Sequence, residues 1–153
     1  MYDMGVYPLN ATRYCIGEEP IAVTRASHST KRPEIYTEVD ETTYFELEFP
    51  SGARAECATS LGMSMNGLHV TYTDGWARLS PFQSYSGIRG EASDGRHFDA
   101  RIPNQQAKQM DDDALAIMES RPMLAPGEEG MRDIRIVEAI YEAARKGERV
   151  EIG

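Results

Sequence analysis

Near the beginning of this sequence a carboxylate and a phenol stand at helical spacing. Asp3 and Tyr7 are four residues apart, so in a helix they share one face, about one turn from each other. A carboxylate and a phenol held together at the mouth of a short helix are a suggestive pair for acid–base chemistry. In water a phenol ionises only near pH ~10, so acting as a base near neutrality requires a nearby positive charge. Spacing alone favours a plainer reading over catalysis, in which Asp3 caps the helix and Tyr7 packs at its edge. Gly5 leaves room between them for a ligand or another backbone to come close. Pro8 fits only near a helix start. Leu9, Arg13 and Ile16 continue the helical pattern until Gly17 stops it.

Other chemistry finds little footing. No Gly-x-Gly-x-x-Gly follows a strand, and Gly87-Ile88-Arg89-Gly90 does not supply one. There is no Gly-x-Ser-x-Gly elbow, no Walker loop and no Cys–His spacing that suggests a nucleophile. His28, His69 and His97 are far apart and lack ligand spacing, so they read as strand surface positions and no metal is expected. Cys15 and Cys57 fit neither a disulfide framework nor a zinc pattern and read as buried thiols. Asp111-Asp112-Asp113 could suggest a metal cluster, but consecutive helical residues point in different directions, and a solvated face is the better reading.

Composition sets the outer bounds. The 153 residues suit one domain with one core, and 41% apolar content is ordinary for a globular chain. A formal charge of −9 argues against a nucleic-acid groove and against an anionic membrane surface. No apolar run is long enough for a membrane span and no signal segment opens the chain.

The elements that must hold Asp3 and Tyr7 follow from periodicity. Extended runs are predicted at Ile21–Ala26, Thr43–Phe49, Ala53–Ser60, Leu68–Thr73, Trp76–Leu79 and Arg96–Ile102, with a short closing strand in Arg149–Ile152. Pro50-Ser51-Gly52, Asp74-Gly75 and Asp94-Gly95 mark the turns between them. Met63 and Met65 fall in an irregular stretch and could pack a core or a partner surface, the core being favoured. Helices are predicted at Asn104–Ser120, with Ala107, Met110, Ala114, Ile117 and Met118 inward, and at Glu129–Lys146, with Ile134, Val137, Ile140, Tyr141 and Ala144 inward. The fold class is α+β: an open, mainly antiparallel sheet with both helices on one face. Phe45, Leu47, Phe98, Ile117, Ile134 and Ile140 should be buried between the layers.

Several segments resemble one family. Asp3-x-Gly5-x-Tyr7-x-x-Asn10 is similar to the active-site helix of the glucose–fructose oxidoreductase branch of the Gfo/Idh/MocA dehydrogenases, whose pattern is Asp-x-Gly-x-(His or Tyr)-x-x-(Asp or Asn). Gly17-Glu18-Glu19-Pro20, Tyr85-Ser86-Gly87-Ile88-Arg89-Gly90 and the tail from Pro126-Gly127-Glu128-Glu129-Gly130-Met131-Arg132-Asp133 to Ile140-Tyr141-Glu142-Ala143-Ala144 look similar as well. The resemblance covers nearly the whole chain but only the C-terminal half of such an enzyme. It implies the fold of a glyceraldehyde-3-phosphate dehydrogenase-like C-terminal domain over residues 1–153, with the N-terminal Rossmann domain absent from this chain.

The resemblance also implies a function. In a longer parent, a Rossmann domain would bring NAD or NADP and a lysine to the opening helix. Tyr7 would accept the proton of a sugar hydroxyl, Asp3 would orient the lysine or the substrate, and Asn10 and Arg13 would lie close to the pocket or the cofactor domain. Asn10 replaces the commoner Asp of the pattern. Tyr85 and Arg89 would stack on and hydrogen-bond to the sugar, or else form an exposed connection. No cofactor is expected bound to this chain alone, which would be inactive. The open sheet face should pair copies into a homo-oligomer, and the expected compartment is the cytoplasm. The alternative is a non-catalytic α+β module that binds a ligand or builds an interface.

Overall fold

The computed structural model describes residues 1–153, which fall into two compact units. The first comprises Met1–Met65 and Gly130–Gly153, the second Asn66–Glu129. The architecture is α+β with open antiparallel sheets. Where periodicity predicts one sheet, the strands divide into two of four strands each.

In the first unit, α1 (Val6–Ile16) is followed by β1 (Ala22–Ser29), β2 (Thr42–Glu48) and β3 (Arg54–Ser60), and the unit closes with α3 (Gly127–Lys146), which belongs to it from Gly130 onward, and β8 (Val150–Glu151). The strand order is β3-β2-β1-β8, all neighbours antiparallel. Period-two alternation fixes this register: Phe45 and Leu47 stand opposite Cys57 and Ala55, while Tyr44 and Glu46 stand opposite Ala58 and Glu56 on the other face. The core joins Leu9 of α1, Val23, Phe45, Leu47 and Phe49 of the sheet, and Ile136, Val137, Ile140 and Ala143 of α3. One sheet face is thus covered by two helices, and the other carries Tyr44 among Arg25, Ser27, Glu46 and Glu56.

The inward stripe of α3 is rotated from the predicted one. Asp133, Ile136, Val137, Ala139, Ile140 and Ala143 are buried, whereas Ile134 is 37% exposed and Tyr141 and Ala144 are half-buried. The cause is electrostatic: Asp133 must face inward to meet a buried cation of α1, described below.

The second unit strings β4 (Leu68–Tyr72), β5 (Gly75–Leu79), β6 (Ile88–Ala92) and β7 (His97–Ala100) into a meander in sequence order, followed by α2 (Gln105–Glu119). β6 lies in a stretch where alternation alone predicts no strand. Phe98 is half-buried, so the expectation of a fully buried ring is corrected. The correction on α2 is larger. Ala116 is its buried residue, and the predicted core stripe faces outward, with Met110 69%, Ile117 68% and Met118 80% exposed. Asp112 instead turns partly inward and its Oδ1 accepts from Arg121 at 2.7 Å, so the acidic run is not a wholly solvated face. An apolar stripe reports a face that gains by being covered, not which neighbour covers it. Met63 and Met65 are likewise exposed rather than core. His28, His69 and His97 lie on β1, β4 and β7. No helix is long and apolar enough to cross a membrane.

Candidate active site

The α spiral begins before α1 itself. Gly5 N–H donates to the Met1 carbonyl at 2.8 Å, and Gly5, the residue preceding the helix, has right-handed helical angles. Asp3 and Tyr7 therefore keep the one-turn relation that their spacing implies. A β-carbon on Gly5 would lie 2.6 Å from the Met1 carbonyl oxygen, so it is the chain's own backbone that comes close here. Pro8 sits in the first turn, where its missing N–H leaves no helical bond unmade. Gly17 ends the helix in the left-handed region, its N–H returning to the Arg13 carbonyl at 2.8 Å.

Asp3 does not have the capping role of the plainer reading, since no side chain caps α1. Asp3 is exposed and the Tyr7 ring is 45% exposed, clear of the core beneath Leu9. The opening of α1 thus presents a carboxylate and a phenol to the outside, on a helix whose other face is fixed.

That fixing is the work of Arg13. Predicted to lie near substrate, it is 6% exposed and fully engaged within the fold. Its Nε and Nη2 donate to the two carboxylate oxygens of Glu19 at 2.7 and 2.6 Å, and Nη1 donates to Asp133 Oδ1 at 2.6 Å. The Glu19 hydrogen bonds, opposed by burial and reinforced by Asp133, raise its pKa, so the guanidinium stays charged. Asn10 Nδ2 donates to Asp133 Oδ2 at 3.4 Å. Asn10 and Arg13, expected close to the pocket or the cofactor domain, together tie α1 to α3. Sequence reading passed over Glu19 and Asp133 as roles, although both lie in segments that carry the resemblance.

The start of α1 is tied to α3 by a second polar group. Tyr141 Oη donates to Asp40 Oδ1 at 2.6 Å, and Thr43 Oγ1 donates to Asp40 Oδ2 at 2.5 Å. Met1 N lies 3.3 Å from Tyr141 Oη and 3.4 Å from Asp40 Oδ2. The Tyr2 ring stacks on Tyr141 with centroids 5.7 Å apart. Contacts at 133 with residues 10 and 13, and at 141 with residues 1 and 2, make α1 and α3 antiparallel neighbours. Nothing in spacing pointed to Asp40, and Tyr141 read as one more stripe residue.

Tyr85 and Arg89 belong to the second unit. Tyr85 is 71% exposed in the turn before β6, and Arg89 is exposed on β6 opposite Asp99 of β7. Cys15 and Cys57 are free and half-buried, and burial raises both thiol pKa values, which leaves them poor nucleophiles. No three His, Cys, Asp or Glu side chains converge as a metal site would require.

Comparison with known proteins follows the same lines. The family model described as the GFO/IDH/MocA C-terminal domain matches residues 1–78. A D-xylose 1-dehydrogenase [NADP(+)] of Haloarcula marismortui is 27% identical over 155 residues, covering 98% of this chain and 43% of that protein. The crystal structure of an aldose-aldose oxidoreductase from Caulobacter crescentus, complexed with glycerol, superposes with a TM-score of 0.88 at 37% identity, over 97% of this chain and 46% of that one. A levoglucosan dehydrogenase in complex with NADH and levoglucosan shares the fold, with a TM-score of 0.77 at 20% identity over 98% of this chain and 49% of its own. The chain therefore spans about half the length of these relatives.

Proposed function

The chain belongs to the GFO/IDH/MocA C-terminal domain family, and from that premise we propose that it is the substrate-side and assembly half of an NAD(P)-dependent oxidoreductase acting on a sugar hydroxyl. The observation that carries this reading is the exposed Asp3–Tyr7 pair at the start of a helix tied to α3 through Arg13 and Asp133. A similar D-xylose dehydrogenase and a similar aldose-aldose oxidoreductase, by their names, act on sugars of the same class.

Oxidation of a secondary alcohol needs a base for the hydroxyl proton and an acceptor for the hydride. Tyr7 Oη is the base, and Asp3 orients the substrate hydroxyl or the cation that activates the phenol. Asn10, exposed next along α1, borders the same surface. The dinucleotide itself does not fit among the residues of this chain. Its single strand–turn–helix passage, β7 to α2, runs through Arg101-Ile102-Pro103-Asn104, with no glycine to let a pyrophosphate approach the helix start. NAD(P) is therefore bound by the remainder of a longer protein. Copies of the domain pair through the uncovered sheet face around Tyr44.

The test is Tyr7→Phe in the longer protein, assayed with D-xylose and other aldoses against NAD and NADP. The ring is retained, so stability should hold while kcat falls about 10²–10⁴-fold with KM little changed. Wild-type turnover in this variant would overturn the assignment.

A further inference from the structure

One face of α1 and of the turn before it lies open to solvent. Asp3, Tyr7, Asn10 and Tyr14 follow one another there at helical spacing and are exposed, while Leu9, Thr12 and Arg13 are buried. Tyr7 and Asn10 are therefore neighbours on this face, about 4.5 Å apart along the helix axis. That separation is within the width of one sugar ring. A ligand whose hydroxyl meets the Tyr7 phenol thus has a second polar group within reach of Asn10.

What Asn10 offers such a ligand is fixed from behind. Asp133 of α3 is 7% exposed, and its Oδ1 accepts from Arg13 Nη1 at 2.6 Å while its Oδ2 lies 3.4 Å from Asn10 Nδ2. A carboxylate paired with a guanidinium accepts hydrogen bonds and donates none. Asn10 must therefore turn its amide NH₂ towards Asp133, because its carbonyl would meet a second acceptor there. The carbonyl oxygen Oδ1 then lies on the other side of the amide, left for a ligand. The same pairing gives a physical reason for asparagine at this position, since an aspartate would set a second carboxylate against Asp133.

We infer that Asn10 is a specificity-determining residue whose amide oxygen accepts a hydrogen bond from a second hydroxyl of the sugar, near the one that is oxidised, and that Asp133 is the positioning residue that sets this polarity. The catalytic consequence rests on the reading of Tyr7 as the base; the orientation of the amide does not. A carbonyl sorts ligands by what they donate. A hydroxyl satisfies it, hydrogen gives it nothing, and fluorine can accept but cannot donate. A recognition group of the opposite polarity would tolerate fluorine. The substrate class that follows is an aldose with a free hydroxyl close to the oxidised carbon, and not a deoxy sugar or an ether at that position.

Two measurements test this. In the 153-residue chain, nuclear magnetic resonance should show the Nδ2 protons of Asn10 exchanging with water about threefold or more slower than those of Asn104, whose side chain makes no capping hydrogen bond. Equal exchange at the two side chains would overturn the orientation by Asp133, and the inference with it. The second measurement uses the longer protein with NADP, on whichever of D-xylose and D-glucose turns over faster, and compares its monodeoxy and deoxyfluoro analogues in turn. At one position other than the oxidised one, loss of the hydroxyl should lower wild-type kcat/KM about tenfold, alike for hydrogen and for fluorine. Asn10→Ala, a substitution at an exposed site, should lose about the same factor with the parent sugar. It should no longer distinguish that sugar from the two analogues, and KM for NADP should stay within about twofold. Discrimination that survives Asn10→Ala, in an enzyme that Tyr7→Phe inactivates, would overturn the inference and leave the active-site reading standing. A loss that falls on KM for NADP would also overturn it, by setting Asn10 against the cofactor. Wild-type turnover in Tyr7→Phe would instead overturn the active-site reading, and the catalytic consequence drawn from it.

Discussion

Asp40 shows how a single buried carboxylate can make the fold pH-dependent. Burial by itself would raise its pKa, but hydrogen bonds from Thr43 and Tyr141 work against it and the carboxyl is held well below the usual carboxylate range. The Tyr141 phenol is pushed up, by burial first and then by Asp40, so it remains a donor throughout the physiological range. A carboxyl that ionises more readily folded than unfolded stabilises the fold above its ordinary pKa of 3.8, and that contribution is lost as pH falls towards about 2. Urea unfolding should accordingly show wild type more stable than Asp40→Asn at pH 7, with the gap narrowing below pH ~4 and closing near pH ~2. A gap that does not change with pH would mean that Asp40 contributes through packing and not through its charge.

The helices differ in what their apolar residues do. α3 places Ile136, Val137, Ile140 and Ala143 in the core, and α1 adds Leu9. α2 turns Met110, Ile117 and Met118 outward and buries Ala116. Substitution should separate the two cases. Ile140→Ala empties space in a fully buried site and is expected to cost about 2–5 kcal/mol. Ile117→Ser removes a side chain that is already solvated, and its effect is expected to stay within about 0.5 kcal/mol. Chemical denaturation of both variants checks this, and a large loss from Ile117→Ser would show that α2 buries its apolar stripe after all. The α1–α3 pair depends on polar contacts as much as on packing. Arg13 is buried only because Glu19 and Asp133 neutralise it, and this pairing turns α3 so that Asp133 faces in and Ile134 faces out.

At the scale of the molecule, the chain is about half of the relatives it resembles. Its first sheet has one face under α1 and α3 and another that carries Tyr44, 44% exposed, among small and charged neighbours. Self-association through that face is expected to give a mass of two or more chains by light scattering at high concentration, weakened by Tyr44→Glu. The net charge of −9 opposes close approach of copies, so added salt should favour the assembly. A monomer at every salt and protein concentration would count against this surface. Agreement across levels is what made the fold class legible: strand alternation, the hairpin turns and the resemblance all pointed to antiparallel strands with a helical layer.

The sequence by itself determined the strand faces and the opening helix. Phe45 and Leu47 alternate with Tyr44 and Glu46 because a strand has a strict period of two, so one register puts every apolar side chain inward. Gly5, Pro8 and Gly17 bound α1 because backbone conformation is a local property. It could not decide which helical stripe is buried, since several adjacent rotations of a helix expose nearly the same apolar count. The tertiary structure decided that through long-range charge: Asp133 turns inward to meet Arg13, 120 residues earlier. It also decided the role of Asp40, which stands 101 residues before Tyr141. Hydrogen bonds between such distant groups leave no periodic trace in the chain, and they become visible only when the fold brings them within 3 Å.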